Sequence, residues 1–154
     1  MSELLEIAER IVGWADSGEQ VEAVVVHERE TEVRAYEGEV ESLTVAESSG
    51  VGIRVIRDGR QGFAYAGTLD PDALVEVMRE ARDNLGFATP DEHCSLAVPD
   101  GVAPVGMDLY RDALLDLSID AKVQMALDLE RLTLSADSRI SGVEPAEYSD
   151  SVSS

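Results

Sequence analysis

The dipeptide Asp58-Gly59 stands between two strand-like runs, Gly50 to Arg57 and Arg60 to Ala66, and it leaves this chain few ways to fold. Glycine accepts the positive φ that a two-residue hairpin turn demands. Set as such a turn, Asp58-Gly59 pairs Val55 with Gly62, Ile53 with Ala64 and Val51 with Ala66. Large side chains then face small ones on one side of the sheet, as close packing requires. On the other side Tyr65 lies opposite Gly52, where an aromatic ring covers a bare glycine. Glu37-Gly38 is a second turn signal of the same kind, so the stretch from Thr31 onward is a meander of strands.

The meander feeds a helix over about 71–85. Asp70 is placed as its N-cap and Pro71 at the first helical position, where the missing N–H costs nothing. Leu74, Val77, Met78, Ala81 and Leu85 recur on one helical stripe, and Gly86 is placed as the stop. Upstream, Ser2 caps a helix over about 3–15. Its apolar face is Leu4, Ile7, Ala8, Ile11, Val12 and either Trp14 or Ala15, and Asp16-Ser17-Gly18 ends it. Val21 to Val26 is apolar except for Glu22, which predicts a central strand covered on both faces. Alternation starts at His27, with a bend or break expected near Thr31. Glu39 and Glu41 alternate with Val40 as a solvated face, and Leu43 and Val45 carry the apolar side onward.

Pro90, Pro99 and Pro104 with Gly101 and Gly106 mark a long loop at 87–107, either a functional surface segment or a connector over the sheet. Asp108-Leu109-Tyr110 is expected to dock the chain again. Ser118 caps a helix over about 119–135, with Val123, Ala126, Leu127 and Leu134 inward and Glu130-Arg131 outward. Alternation resumes at Tyr148 and predicts a strand still unfinished at Ser154. The predicted class is α+β: a mostly antiparallel sheet over about 20–66 with three helices on it, in one domain spanning 1–154.

A formal charge of −20, from 12 basic and 32 acidic residues, disfavours direct contact with nucleic acid or an anionic membrane. It suits an acidic soluble surface, or a basic partner. The single cysteine, Cys94, rules out an internal disulfide and fits a reducing cytoplasm. No apolar run approaches the roughly 20 residues that span a bilayer, and the acidic start is unlike a signal peptide.

Catalytic motifs are wanting. His27-Glu28 begins a two-histidine zinc helix, but Thr31 and Glu32 follow where the second histidine belongs. The only other histidine, His93, adjoins Cys94, and neighbouring side chains on an extended chain point apart. Ser48-Ser49-Gly50-Val51-Gly52 lacks the third glycine of a dinucleotide loop and enters a strand. No catalytic residue and no metal ligand is assigned. Arg54, Arg57 and Arg60, with Tyr65, form the candidate surface for a peptide or partner. Balancing nearby glutamates is the competing role for the arginines.

The early helix with its Val-Val-Val strand, Glu39-Val40-Glu41-Ser42 and Gly50-Val51-Gly52-Ile53-Arg54-Val55 resemble the N-terminal domain of the TldD/PmbA family, also called modulators of DNA gyrase. The resemblance continues through Gly59-Arg60-Gln61-Gly62-Phe63-Ala64, Leu69 to Leu74, Thr89-Pro90-Asp91, and Ser118 to Arg139-Ile140. It implies a two-subunit zinc metalloprotease that encloses and trims unfolded peptides. The Tyr36 to Ser42 turn, Ala88 to Asp91 and the segment from Asp108-Leu109-Tyr110 to Ser118 are more similar to the PmbA (TldE) type, which lacks zinc ligands. The implied role is non-catalytic: pairing with a TldD-type subunit that holds the zinc, with no cofactor in this chain, in the cytoplasm. The family's metalloprotease-like C-terminal half is absent from the sequence. Two rival expectations remain: an acidic module regulating gyrase or another basic, DNA-binding partner, and an autonomous hydrolase using His93 or Cys94.

Overall fold

The computed structural model describes residues 3–103, 105–107, 109–110 and 112–154, in two compact units. One takes in the chain up to Glu28, Ser48–Val102 and Ser153–Ser154; the other is Arg29–Glu47 and Ala103–Val152. Among the described residues one antiparallel sheet has the order β3-β2-β1-β4, from β1 (Gln20–Tyr36), β2 (Glu39–Arg57), β3 (Arg60–Ala66) and β4 (Ala146–Ser153). The helices are α1 (Glu3–Val12), α2 (Pro71–Asn84), a single turn α3 (Asp112–Leu115) and α4 (Ile119–Ala136). The α+β class expected from the sequence is the class observed.

In the first unit the register of β2 and β3 is the one the turn dictates: Val55 opposite Gly62, Ile53 opposite Ala64, Val51 opposite Ala66. Asp58 and Gly59 have φ of 53° and 68°, the left-handed pair of a tight hairpin turn. All five residues of the α2 stripe are buried, in one cluster with Val51, Ile53, Val55, Ala64 and Ile11. Burying an aliphatic side chain of this size contributes about 1.5–3 kcal/mol, so this cluster is the main support of the unit.

Four local expectations need correction. First, α1 ends at Val12, because Trp14 N–H and Ala15 N–H bond back three residues, to Ile11 O (3.0 Å) and Val12 O (3.2 Å); Val12 and Ala15 are exposed. Second, Gly86 does not stop α2: the helix tightens into a 3₁₀ turn, Leu85–Phe87, and Gly86 has no positive φ. Third, Asp70 is the N-cap residue of α2, as expected, but its side chain makes no capping bond. Fourth, Val21 to Val26 is covered on one face only; Val24 is 57% and Val26 46% exposed. A central place in the sheet order does not place a layer on each face. The capping residue expected for α1, Ser2, lies outside the described residues.

The second unit has its own small core: Val33, Ala35, Ala126 and Ala146, with Val123, Leu127 and Tyr148 packed on it. β1 does not break near Thr31, which is buried, and alternation continues through Val33 and Ala35. Ser118 caps α4 as expected, its Oγ accepting from Ala121 N–H at 3.2 Å. Leu134, placed inward by the sequence, is exposed, as are Val40, Leu43 and Val45 on β2. Leu109 and Tyr110 are exposed too and do not dock; Asp108 lies outside the described residues.

Candidate functional surface

The alternation that buries Val51, Ile53 and Val55 turns Gly52 and Arg54 to the opposite side, and the same rule on β3 turns out Phe63 and Tyr65. The two rings stack with centroids 6.2 Å apart and planes 29° apart, and they are 54% and 76% exposed. Gly52 stands opposite Tyr65, as the register requires. The ring that covers it is nevertheless Phe63: a Cβ on Gly52 would lie 3.2 Å from Phe63 Cε2. Phe63 leans diagonally from its place opposite Arg54 onto the bare backbone, and Tyr65 stacks on it. The sequence found the bare glycine but assigned the wrong aromatic, because cross-strand diagonals are also within reach of a ring.

The three arginines are separated. Arg54 is on the aromatic side and pairs with Glu22, Nη2 to Oε2 at 2.7 Å. Arg57 and Arg60 face each other across the hairpin end and line an open pocket of about 560 Å³ with Asp58, Arg82, Asp83, Leu85, Gly86 and Pro90. Arg57 Nη1 lies 3.4 Å from Glu19 Oε1, and Arg82 donates to Glu19 and to Trp14 O. Burial works to raise the Glu19 carboxyl, but the Arg82 bonds, the Asp16 N–H and both guanidinium charges hold it below the usual carboxylate range. Two of the three arginines therefore balance glutamates, Arg54 with Glu22 and Arg57 with Glu19. Tyr65 shares a face with Arg54 only.

The long loop reaches the same end of the hairpin. Asp91 N–H donates to Gly59 O at 2.7 Å, and Leu96 N–H donates to Gln20 Oε1 at 2.9 Å. Cys94 Sγ faces Gln61 Oε1 at 4.0 Å, whereas His93 Nε2 stands 3.7 Å from Glu92. Each of the adjacent pair meets a different residue, which is poor geometry for a nucleophile and its base. His27 Nδ1 meets Ser49 Oγ at 2.9 Å across β1 and β2. Among the described residues no three His, Cys, Asp or Glu side chains converge where a metal ion could be held. No helix among them is long and apolar enough to cross a membrane.

The second unit holds the polar residues that sequence reasoning missed. Lys122, Ala126 and Glu130 are the buried residues of α4, spaced four apart on one line. Lys122 Nζ pairs with Asp150 Oδ2 at 2.6 Å, reaches Thr31 Oγ1 at 3.4 Å and lies 5.9 Å from the Tyr148 ring centre. Burial, with the hydrogen bond to Asp150 and its charge, pushes the Tyr148 phenol up to about 12. Burial opposes ionisation of Asp150 as well, yet the bonds from Lys122 and Tyr148 hold it below the usual range. Glu130, only 3% exposed, accepts the N–H groups of Glu37 and Gly38 at 2.8 and 2.9 Å. The sequence placed Glu130 outward because it is charged. Its spacing from Ala126 was the available signal for the opposite.

Residues 21–85 match the first domain of PmbA/TldA metallopeptidases. The chain is 29% identical over 143 residues to an uncharacterised protein of Methanocaldococcus jannaschii, covering 88% of this chain and 31% of that protein. It is 26% identical over 132 residues to a metalloprotease PmbA homologue of Haemophilus influenzae, covering 86% and 29%. A putative modulator of a DNA gyrase from Thermotoga maritima shares the fold at a TM-score of 0.78 and 24% identity, over 97% of this chain and 33% of that one. TldE from Thermococcus kodakarensis does so at 0.70 and 21%, over 99% and 33%. The chain thus spans about a third of the length of the proteins it resembles.

Proposed function

Because the chain belongs to the TldD/PmbA family, as an N-terminal domain of it, we propose that it acts as part of a PmbA (TldE)-like subunit in a heteromeric zinc metalloprotease that trims unfolded peptides. The observation that carries this reading is the match of residues 21–85 to the first domain of PmbA/TldA metallopeptidases. The described residues do not fit a zinc site, so no catalytic step is assigned to them; the metal would reside in a TldD-type partner. This chain would supply wall and pairing surface, and the exposed Phe63–Tyr65 stack beside Arg54 is the place for a partner to bury. Aromatic and arginine side chains carry a large share of interface energy. The compartment would be the cytoplasm, as the lone cysteine suggests.

Copurification with a TldD-type subunit tests the reading. The expected outcome is a complex that withstands moderate salt and digests an unfolded peptide, while this chain alone takes up no stoichiometric zinc in a calorimetric titration. Tight zinc binding by this chain, or no pairing with any TldD-type subunit, overturns it. The −20 charge favours a second reading, an acidic module for gyrase or another basic partner. That reading requires salt-sensitive capture of the basic protein without a protease subunit.

A further inference from the structure

Arg57 and Arg60 stand directly opposite each other at the end of the β2–β3 hairpin. Like charges so placed repel and destabilise the strand pair. Only one of the two is offset. Arg57 Nη1 reaches Glu19 Oε1 at 3.4 Å, whereas the Arg60 side chain makes no hydrogen bond or ion pair among the described residues. Arg82, in the last turn of α2, lines the same open pocket of about 560 Å³. Its guanidinium is already oriented: Nε and Nη2 donate to Glu19, and Nη2 also donates to Trp14 O at 2.7 Å. Nη1 takes part in none of these bonds. The carboxylates around the pocket are mostly committed. The Glu19 side chain is fully buried against Arg82, and Asp83 accepts from Arg79 at 2.6 Å. Asp58, on the turn itself, is the lining carboxylate that has no ion pair among the described residues.

We infer that this pocket binds the C-terminal carboxylate of a peptide, with Arg60 as its principal contact and Arg57 and Arg82 beside it. The inference rests on the peptide-handling reading above and names one point at which the peptide is held. A carboxylate between Arg57 and Arg60 turns a repulsive pair into two attractive contacts, and a guanidinium offers the paired donors that a carboxylate accepts. Asp58 and the carbonyl end of α2 oppose more than one negative charge, which disfavours a phosphate group. Leu85 and Pro90 in the lining suit an apolar last side chain. The net charge of −20 repels free polyanions and attracts a peptide that is basic elsewhere. At physiological ionic strength that field is screened beyond about 8 Å, whereas contacts inside the pocket persist.

An NMR titration of the arginine Nε–H signals in the 154-residue chain tests this. The probe is the peptide Lys-Ala-Lys-Ala-Leu with a free C-terminus, at physiological ionic strength. The expected result is a saturable shift of the Arg57, Arg60 and Arg82 signals, with Arg131 and Arg139 unmoved. The same peptide with an amidated C-terminus should bind about tenfold more weakly or worse. Arg60→Gln should weaken binding of the free acid by a similar factor. It should not lower the melting temperature, because it removes a like-charge neighbour and no folded-state partner. Three results overturn the inference: no shift, equal binding of acid and amide, or full binding by Arg60→Gln. Two more reassign the ligand and overturn it as well: equal binding of an amidated peptide that ends in glutamate, or equal shifts from inorganic phosphate at the same concentration. Pairing with a TldD-type subunit is read separately, so failure of carboxylate binding leaves that reading standing.

Discussion

Gly62 lies against the backbone of Ala81: a Cβ at position 62 would run into the Ala81 carbonyl oxygen and sit 2.8 Å from Leu85 N. The contact is backbone to backbone, so no side-chain rotation relieves it. It sets how closely α2 approaches β3. Gly62→Ala should destabilise the fold by about 3 kcal/mol, at the upper end of overpacking costs, in urea unfolding. A loss below about 0.5 kcal/mol, the range of a neutral surface change, would show that the helix moves off freely.

Gly59 has two reasons to be glycine. Its φ is 68°, and a Cβ there would lie 2.8 Å from Asp91 O. Gly59→Val should cost roughly 1–3 kcal/mol for the backbone alone. It should also release the Asp91 N–H bond, visible as faster amide exchange at Asp91 than in the wild type. A melting point equal to the wild type would mean that the turn tolerates a β-branched residue.

Gly52→Val displaces the Phe63 ring without straining the backbone, since no positive φ is required there. The expected outcome is a folded chain whose pairing with a TldD-type subunit weakens about tenfold, or about 1.4 kcal/mol. Normal pairing by a folded variant would remove the aromatic face from the functional surface.

Glu130 caps a turn more than ninety positions away in sequence, satisfying two N–H groups with one buried carboxylate. Glu130→Ala leaves both donors unpaired and should cost about 1–3 kcal/mol. Glu130→Gln keeps one acceptor and should cost less. Chemical denaturation of the pair measures the difference, and equal stability of both variants and wild type would show that water replaces the cap.

Glu19 and Asp150 have lowered pKa values in the folded chain. Their contribution is present above the unfolded carboxylate range, about 4, and is lost as pH falls through the lower folded values. Stability should therefore drop more steeply below about pH 4 in the wild type than in Asp150→Asn. Tyr148 has the opposite sign. Its contribution is complete below the ordinary phenol value, near 10, and is lost as pH rises through about 12. Ultraviolet titration should show one tyrosine ionising late, and Tyr148→Phe should remove that lag.

What the sequence determined by itself was local. Asp58-Gly59 set a two-residue turn, and the turn set the register that places Gly62 opposite Val55 and Ala64 opposite Ile53. Apolar spacing placed α2 and its buried stripe, and Ser118 placed the start of α4. These signals act within a few residues, through backbone sterics and periodicity. Tertiary structure decided which face of a strand is covered, which ring covers Gly52, and which charges are buried. Lys122 and Glu130 look like solvent residues until Asp150 and the amides of Glu37 and Gly38 meet them. A charge can be buried only when a partner offsets its desolvation. That partner comes from a distant part of the chain, so the residue type does not reveal it.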